Sequence, residues 1–392
     1  MKDVVIVGAK RTPIGSFGGA LSQYTAPELG ATTIIELLKS SGVKQNEVNE
    51  VVLGNVLTAG VGQAPARQAA IKAGLPELTP CTTVNKVCAS GMKAVMIAAN
   101  QIQLEEADIV VAGGMESMSN VPYYLPDHRF GSKLGHGSVK DGILIDGLWD
   151  VYNDFHMGNA AEICARECNI SREQQDEFAV TSYKRAIEAH EKGYFSDEII
   201  PMKVKNRKGN TEKISMDEEL NKVNFDKIPK LRPVFDKEGT VTAANASSIN
   251  DGAAALLVMS AEKADELGLS PLARIVSQAS AAKAPEWFTT APSDAIPKAL
   301  NRAGLDKTEI DLFEINEAFS VVSLANNQIL ELDPGKVDIH GGAVSIGHPI
   351  GCSGARILVT LIHALKRTGG RYGCVGICNG GGGASAMVLE MI

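Results

Sequence analysis

The sequence of 392 residues contains two copies of one pattern, and the second copy follows the first by about 262 residues. Residues 90–93 match residues 353–356 at a shift of 263, and residues 38–48 match residues 300–310 at a shift of 262. Two β-prone segments repeat in the same order, residues 4–7 as 273–276 and residues 108–114 as 373–380. Four matches in one order indicate a duplicated folding unit rather than chance similarity.

Each copy follows the order strand, helix, strand, helix, strand. This alternation favours parallel strands joined by helical crossovers, so each copy is predicted to form an α/β layer domain. The two domains are expected to pack about a pseudo-twofold axis. Such an axis would bring equivalent turns of the two copies face to face.

The segment between the copies, residues 118–249, follows neither of them and is predicted to be an insertion that binds ligand. It contains Pro122, Pro126, a glycine-rich stretch at 131–137, a helical pattern from Gly158 to His190 and a charged, hairpin-like run near Lys203 to Lys213. A buried strand is predicted over residues 250–261, where the chain returns to the first domain. The predicted domains are residues 1–117 with 250–270, residues 118–249, and residues 271–392.

Cys88 is the first candidate for chemistry. A short β-prone run ends at Val84, and a helical pattern of apolar residues begins at Met92, so Cys88 is predicted to lie at a strand-to-helix turn. The N–H groups and dipole at the start of a helix favour the thiolate, which would make Cys88 a nucleophile. A buried structural cysteine is the alternative from position alone.

The duplication supplies a partner for this thiol. Position 88 of the first copy corresponds to Gly351, and His348 lies three residues before it, at the equivalent helix entrance. An imidazole facing Cys88 across the pseudo-twofold axis could accept the thiol proton. Cys378, which ends a strand of the second copy before a run of glycines, is expected to lie close by.

The composition of the chain indicates which kinds of molecule it binds. The net charge is −8 and the isoelectric point is near 5.5, which argues against nucleic acid or an anionic membrane surface as the partner. No apolar stretch approaches the roughly 20 residues that span a bilayer. The seven cysteines have no CxxC spacing, and the N-terminal apolar run is too short for a signal peptide. We therefore expect a cytoplasmic protein that acts on a small molecule.

Four motifs together resemble the thiolase family, specifically its short-chain, biosynthetic type, and the likeness extends over essentially the whole chain. They are Lys86-Val87-Cys88-Ala89-Ser90-Gly91, Asn316-Glu317-Ala318-Phe319, residues 341–356 around Gly347-His348-Pro349, and Cys378-Asn379-Gly380-Gly381-Gly382. The resemblance implies two pseudo-twofold-related βαβαβαββ domains with an inserted loop domain, arranged in five layers, αβαβα. It also implies a homotetramer and a ping-pong, reversible condensation of two acetyl-CoA molecules to acetoacetyl-CoA and CoA.

Roles follow from the resemblance residue by residue. Cys88 matches the acyl-accepting nucleophile, His348 the histidine that activates it, and Cys378 the second cysteine, which removes an α-proton and protonates the leaving CoA. One oxyanion hole would use His348 and a water held by Asn316, and the other the backbone N–H groups of Cys88 and Gly380. A thiol nucleophile and donors aimed at the developing oxyanion suit thioester chemistry.

The resemblance further implies a set of contacts to coenzyme A, with Ser247 as the best polar contact to the pantetheine. They are Leu148, His156, Met157, Phe235, Ala243, Ser247, Ala318 and Phe319. Coenzyme A thioesters are expected as substrates, with no permanently bound cofactor and no metal.

Two departures from the family pattern bear on specificity. Residues 288–292 read Phe-Thr-Thr-Ala-Pro where the family commonly has Met-Gly-x-Gly-Pro. Some relatives also have a basic residue near position 220 that faces the CoA phosphates, where this chain reads Glu-Glu-Leu-Asn at 218–221; Lys222, Lys227 and Lys230 are the alternatives for that contact. The closest alternative is a degradative 3-ketoacyl-CoA thiolase that acts on longer chains. A 3-ketoacyl-acyl-carrier synthase fits Asn316 and Cys378 less well. A metal-binding scaffold is disfavoured because these Cys and His residues lack zinc spacing.

Overall fold

The computed structural model describes residues 2–206 and 208–392. Its strands are β1 (Val4–Arg11), β2 (Gly15–Ser16), β3 (Glu50–Gly54), β4 (Cys81–Val84), β5 (Ile109–Ser117), β6 (Tyr123–Tyr124), β7 (Lys140–Asp141), β8 (Trp149–Asp150), β9 (Phe155–His156), β10 (Met202–Lys205), β11 (Thr211–Ile214), β12 (Asn250–Ser260), β13 (Ala273–Ala282), β14 (Leu312–Ile315), β15 (Tyr372–Asn379) and β16 (Gly383–Met391).

The helices are α1 (Ala26–Ser41), α2 (Pro65–Lys72), α3 (Ser90–Gln103), α4 (Met157–Glu167), α5 (Arg172–Glu191), α6 (Ala261–Glu266), α7 (Pro292–Ala303), α8 (Ser320–Leu330), α9 (Ala343–Ile346) and α10 (Ile350–Thr368). The repeated segment at 38–48 and 300–310 ends α1 and α7 in the same way. Gly42 and Gly304, with φ of 77° and 68°, form equivalent left-handed C-caps. These positions require φ values that glycine adopts without strain.

The duplication is visible in the sheet. The order β4-β3-β5-β12-β1 in the N-terminal half corresponds to β14-β15-β16-β13 in the C-terminal half, with β3, β5, β12 and β1 equivalent to β14, β15, β16 and β13. The halves meet edge to edge at β1 and β13, where Val5 and Ile6 pair with Arg274 and Ala273. Eight strands of the ten-stranded sheet therefore form two copies of one half-sheet, and β2 and β4 are additions to the N-terminal copy.

The prediction of parallel pairing holds for part of the sheet only. β3 is parallel to β4 and β5, and β14 is parallel to β15, but the remaining pairs of the large sheet are antiparallel. In each half the last strand lies antiparallel between two earlier ones. For β15 and β16 the reason is the turn of three residues, 380–382, which is too short for a crossover.

Helices α3 and α10 lie between the two half-sheets and form the central layer. A single core cluster combines residues of both helices with residues from both half-sheets, for example Val110 and Leu389. Alternate strand residues such as Val111 face the opposite way, towards α1 and α2, and α7 covers the outer face of the second half-sheet. The layers follow the order αβαβα, so the predicted fold is confirmed.

The central helices contact one another through glycines that the duplication makes equivalent. A Cβ at Gly91 of α3 would lie 2.8 Å from the backbone nitrogen of Ala355, and a Cβ at Gly354 of α10 would lie 2.5 Å from that of Met92. No side chain other than hydrogen fits at these distances. The N-terminal ends of the two helices are therefore held side by side.

The insertion adds small elements around one end of this core. It contains the short hairpins β6–β7, β8–β9 and β10–β11, and the predicted hairpin near Lys203 to Lys213 is present. The helical pattern predicted from Gly158 to His190 forms two helices, because α4 ends at Glu167 and Ser171 caps a new helix, α5.

A buried ion-pair network joins this segment to the N-terminal half. Arg11 of β1 donates to both carboxylate oxygens of Asp217, at 2.7 and 3.0 Å, and to Glu198 at 2.6 Å. A paired arginine of this kind fixes the relative position of the elements that it joins. Of the helices described, none is long and apolar enough to cross a membrane.

Candidate active site

The turn that carries Cys88 connects β4 to α3, as predicted, and its backbone is strained. Val87 has a φ of 47°, a left-handed conformation that is rare for a β-branched residue. Three hydrogen bonds hold the turn in place. The Val87 N–H donates to Asn85 Oδ1 at 2.9 Å, and Ser90 Oγ accepts from the Lys86 N–H at 2.8 Å and donates to the Val87 carbonyl at 2.6 Å. The turn places Cys88 at the N-terminal end of α3.

The prediction that Cys88 is a thiolate is wrong for the enzyme without substrate. Burial is the largest influence on this thiol and raises its pKa to about 11. The backbone N–H groups of Gly380 and of Cys88 itself lower the pKa of this thiol, but by less than burial raises it. In a site with little water, the cost of desolvating a charge exceeds the benefit of a helix N-terminus. Cys88 is therefore a neutral thiol that needs a base.

His348 lies on a loop that two side chains hold from opposite sides. The backbone N–H of His348 donates to Asn250 Oδ1 at 2.8 Å, and its ring Nδ1 lies 2.6 Å from Ser353 Oγ. Since the Ser353 hydroxyl donates to the Pro349 carbonyl at 3.0 Å, Nδ1 carries the ring hydrogen and Nε2 is the acceptor.

The same histidine is buried and neutral. Burial lowers its pKa to about 3. Nε2 of His348 has no hydrogen-bond partner among the residues that the structure describes, and His348 lines the same cavity as Cys88. A neutral imidazole with its acceptor nitrogen unused can take a proton from a thiol.

The hairpin of β15 and β16 brings Cys378 to the same place. Cys378 is fully buried, and its pKa is raised well above the ordinary value by burial and by the proximity of Cys88. The backbone N–H of Gly380, two residues on, is close enough to the Cys88 thiol to lower its pKa. A Cβ at Gly380 would lie no closer than 3.5 Å to Met157, which is ordinary contact, so the surrounding protein does not by itself require glycine there.

Asn316 follows β14 and is almost completely buried, with 1% of its surface exposed. Neither side-chain atom, Oδ1 or Nδ2, has a hydrogen-bond partner within residues 2–206 and 208–392. A buried amide without a partner is uncommon because leaving it unpaired costs about 1–3 kcal/mol. Its amide is thus available to a ligand or a water molecule.

A cavity of about 410 Å³ opens beside Cys88 and His348 and is lined mostly by apolar side chains. Cys88, His348 and every residue predicted to contact coenzyme A line it: Leu148, His156, Met157, Phe235, Ala243, Ser247, Ala318 and Phe319. Cys378, Asn316 and Gly380 are not part of the lining. The size and apolar character are typical of a small-molecule site.

Two polar side chains in the cavity wall have defined hydrogen bonds. His156 Nδ1 accepts the Gly158 N–H at 2.9 Å, which leaves the hydrogen of the neutral ring on Nε2, and the ring stacks on Phe235 with centroids 4.6 Å apart. The Ser247 hydroxyl donates to the Ala318 carbonyl at 2.8 Å. Ser247 can therefore act towards a ligand as an acceptor, and His156 as a donor.

Sequence reasoning missed several groups that build the site. The cavity is also lined by Met118, Val234, Ile249 and Ile350. The roles of Asn250 and Ser353 in holding His348 were not predicted either. The duplication contained a signal for Ser353, because it is equivalent to Ser90 and each serine fixes the catalytic turn of its own copy.

Glu116 is a further buried group that was not predicted. Its carboxylate accepts the N–H groups of Val56, Leu57 and Gly351 at 3.0, 3.2 and 2.9 Å, and burial raises its pKa to about 7. Gly351 lies in the first turn of α10, three residues after His348. Glu116 thus joins the His348 loop to the N-terminal half of the molecule.

The arrangement matches known proteins. The family model described as thiolase, N-terminal domain, matches residues 4–262, and the one described as thiolase, C-terminal domain, matches residues 269–391. Acetyl-CoA acetyltransferase 2 of Arabidopsis thaliana is 58% identical over 100% of this chain and 98% of its own length. The mitochondrial acetyl-CoA acetyltransferase of Rattus norvegicus is 54% identical over 100% of this chain and 92% of its own.

A solved structure agrees with the sequence comparisons. The crystal structure of the Bacillus anthracis acetyl-CoA acetyltransferase superposes with a TM-score of 0.97 at 44% identity and covers 100% of this chain and 99% of that one. The duplicated α/β core and the thiol–imidazole site define an enzyme that transfers acyl groups. The chain belongs to the thiolase family, as the motifs predicted.

Proposed function

We propose that this enzyme is an acetyl-CoA C-acetyltransferase, which condenses two acetyl-CoA molecules to acetoacetyl-CoA and CoA through an acetyl-Cys88 intermediate. The observation that carries the proposal is that the thiol of Cys88 and the imidazole of His348 line one apolar cavity, and that Nε2 of this imidazole has no partner among the described residues. The names of the relatives from Arabidopsis thaliana and Rattus norvegicus support this reaction.

In the first half-reaction, the Cys88 thiol gives its proton to Nε2 of His348, and the sulfur attacks the thioester carbonyl of acetyl-CoA. The carbon–sulfur bond to CoA then breaks, and the CoA sulfur takes a proton from Cys378. The products are CoA and acetyl-Cys88, with His348 protonated and Cys378 as a thiolate. Before the reaction, Cys88 and His348 are both neutral, in accordance with pKa values of about 11 for Cys88 and about 3 for His348.

In the second half-reaction, the Cys378 thiolate removes a proton from the methyl group of a second acetyl-CoA. The resulting carbanion attacks the carbonyl of acetyl-Cys88, so that a carbon–carbon bond forms and the bond to the Cys88 sulfur breaks. The sulfur takes the proton held by His348. Acetoacetyl-CoA leaves, and both thiols and the neutral imidazole are restored.

Each thioester oxygen gains negative charge during these steps and needs hydrogen-bond donors. We assign the N–H groups of Cys88 and Gly380 to one such pair, because both lie close enough to the reacting thiol to lower its pKa. Protonated Nε2 of His348 and a water molecule held by the buried amide of Asn316 form the other. The absence of a protein partner for that amide, among the described residues, supports this role.

Coenzyme A thioesters enter as substrates, and the mechanism uses no permanently bound cofactor and no metal. The apolar walls suit the pantetheine arm, with Ser247 as an acceptor for one of its amides. Phe288 is 2% exposed and packs in the cluster that contains Met157 and Cys378, so a bulky ring limits the space near the reacting carbon. This supports a short acyl group over the longer chains of a degradative thiolase.

We further propose a cytoplasmic homotetramer. Large apolar side chains at Tyr123, Leu125, Phe130, Leu134 and Val139 are exposed on one arm of the insertion. Exposed apolar groups in one region are typical of a protein–protein interface, and identical chains associate symmetrically. The relatives include proteins named as cytosolic and as mitochondrial. The proposal of a cytoplasmic location therefore rests on the cysteine spacing and the short N-terminal apolar run of this sequence.

The mechanism is tested by incubation with acetyl-CoA followed by peptide mass spectrometry. The acetyl group is expected on the Cys88 peptide and on no other cysteine. Cys378→Ser should still acetylate Cys88 but condense poorly, because a serine hydroxyl is too weak a base for the α-proton. His348→Ala should fail in both half-reactions. A label that persists in Cys88→Ser, or full turnover in either of the other variants, would refute the assigned roles.

A further inference from the structure

Lys86 lies two residues before the nucleophile, and its side chain crosses from the N-terminal half to the C-terminal half of the molecule. The ammonium donates to the hydroxyls of Ser385 and Ser280 at 2.7 and 3.0 Å and to the carbonyl of Ala384 at 3.2 Å. Three acceptors match the three hydrogens of an ammonium group. A half-buried lysine satisfied in this way is held in one position.

The acceptors lie on the strands that carry the second cysteine. Ala384 of β16 is the register partner of Cys378 on β15, and Ser385 pairs with Ile377 on one side and with Ser280 of β13 on the other. The turn at 380–382, which presents the Gly380 N–H, begins two residues after Cys378. The Lys86 ammonium is therefore anchored to the same hairpin that brings Cys378 and Gly380 to the site.

The other end of Lys86 is fixed to the nucleophile turn. Its backbone N–H donates to Ser90 Oγ, and the next residue, Val87, is held in the strained left-handed conformation that leads directly into Cys88. A strained conformation persists only where its surroundings enforce it. Only Val87, with its constrained backbone, lies between the anchored lysine and Cys88.

We propose that Lys86 is a positioning residue that sets the spacing between the Cys88 turn and the hairpin of Cys378 and Gly380. This inference rests on the proposed function, because it concerns the reaction that the two cysteines share. Lys86 acts by fixing positions and not by its charge, because it is not among the causes of the Cys88 pKa shift. Those causes are the burial of Cys88, the N–H groups of Gly380 and Cys88, and the charge of Glu116. An error of about 1 Å in the position of reacting groups can cost about 100-fold in rate.

The test is Lys86→Met, which keeps the unbranched stem and removes the three hydrogen bonds. The kcat for condensation is expected to fall about 10- to 100-fold. The KM for acetyl-CoA is expected to stay within about twofold, because Lys86 is not part of the cavity wall. Lys86→Arg retains a donor and should recover part of the rate.

A matched control is Lys298→Met on α7, an exposed lysine with no side-chain hydrogen bond among the described residues, which should leave kcat unchanged. Ser385→Ala should lower kcat by less than Lys86→Met does, and the double variant should be no slower than Lys86→Met alone, because both changes remove the same contact.

Additive effects in the double variant would overturn the proposal. So would unchanged kcat in Lys86→Met, or a loss of activity that only follows the folded fraction measured by far-UV circular dichroism. The failure of wild-type protein to acetylate Cys88 would instead refute the proposed function. The two outcomes are therefore distinguishable.

Discussion

At the scale of single residues, the chemistry of the site is set by burial more than by the helix that follows Cys88. The thiol and the imidazole both have pKa values shifted towards their neutral forms, to about 11 for Cys88 and about 3 for His348. The pair therefore does not exist as thiolate and imidazolium before substrate arrives. Cys88 therefore depends on proton transfer to His348, and not on ionisation in advance, to become a nucleophile.

The first prediction concerns the pH dependence of Cys88 alkylation by iodoacetamide. Because only the thiolate reacts, and its fraction grows about tenfold per pH unit below the pKa, the rate should keep rising through pH 9 without a plateau. The measurement is the rate of carbamidomethylation of the Cys88 peptide by mass spectrometry. A plateau reached below pH 8 would contradict the neutral thiol. Cys378→Ser serves as a control that only Cys88 is being observed.

At the scale of secondary structure, α3 and α10 hold the two catalytic turns. Cys88 precedes α3 by two residues, and His348 precedes α10 by two residues. The contact of Gly91 with α10 and of Gly354 with α3 sets how closely the helix starts approach. The packing of α3 against α10 therefore also sets the distance between the turns that carry Cys88 and His348.

The second prediction is that Gly91→Ala and Gly354→Ala each destabilise the protein. Each new methyl group would lie within 3.0 Å of backbone atoms, which cannot move as a side chain can. We expect a loss of about 1–3 kcal/mol in the free energy of unfolding, and a lower kcat because the helix starts separate. Urea denaturation and steady-state kinetics measure these effects.

Gly137→Ala is the control for this pair, because a Cβ there meets no atom closer than 3.5 Å and its φ lies outside the left-handed region. Its stability and activity should equal those of the wild type. If Gly354→Ala were equally harmless, the close approach of the helices would not matter for the site.

At the scale of the whole molecule, the two copies share one core. The half-sheets pair over two residues of β1 and β13, but the central cluster contains side chains from both halves. Neither half can bury its inner face alone. The duplication therefore yields one cooperative structure and not two independent ones.

The third prediction follows from the shared core. In Trp149→Phe, the remaining tryptophan, Trp287, lies in the C-terminal half, between β13 and α7. Its fluorescence should change at the same urea concentration as the far-UV circular dichroism signal, which reports helices of both halves. Separate midpoints for the two probes would show that the C-terminal half unfolds on its own.

Sequence reasoning reached the family, the layered fold and the residues to examine, because these depend on local patterns that recur along the chain. The match of residues 90–93 with 353–356 identified the two catalytic helix starts, and the motifs identified Cys88, His348 and Cys378. The domain boundaries and the roles of the site residues stay predictions. Two failures had local signals that were not used, the Ser171 cap that separates α4 from α5 and the three-residue turn that makes β16 antiparallel to β15. The failure at β12 was non-local, because its partners β1 and β5 lie far from it in the sequence.

The duplicated pattern by itself determined that the chain would form two equivalent α/β halves with a thiol and an imidazole at equivalent turns. Only the tertiary structure decided the protonation state of that thiol, since desolvation depends on every side chain packed around it. It alone also joined Lys86 to β16 and Glu116 to α10, across nearly 300 and 235 positions of the chain. Contacts between residues so far apart leave no periodic signal in the sequence.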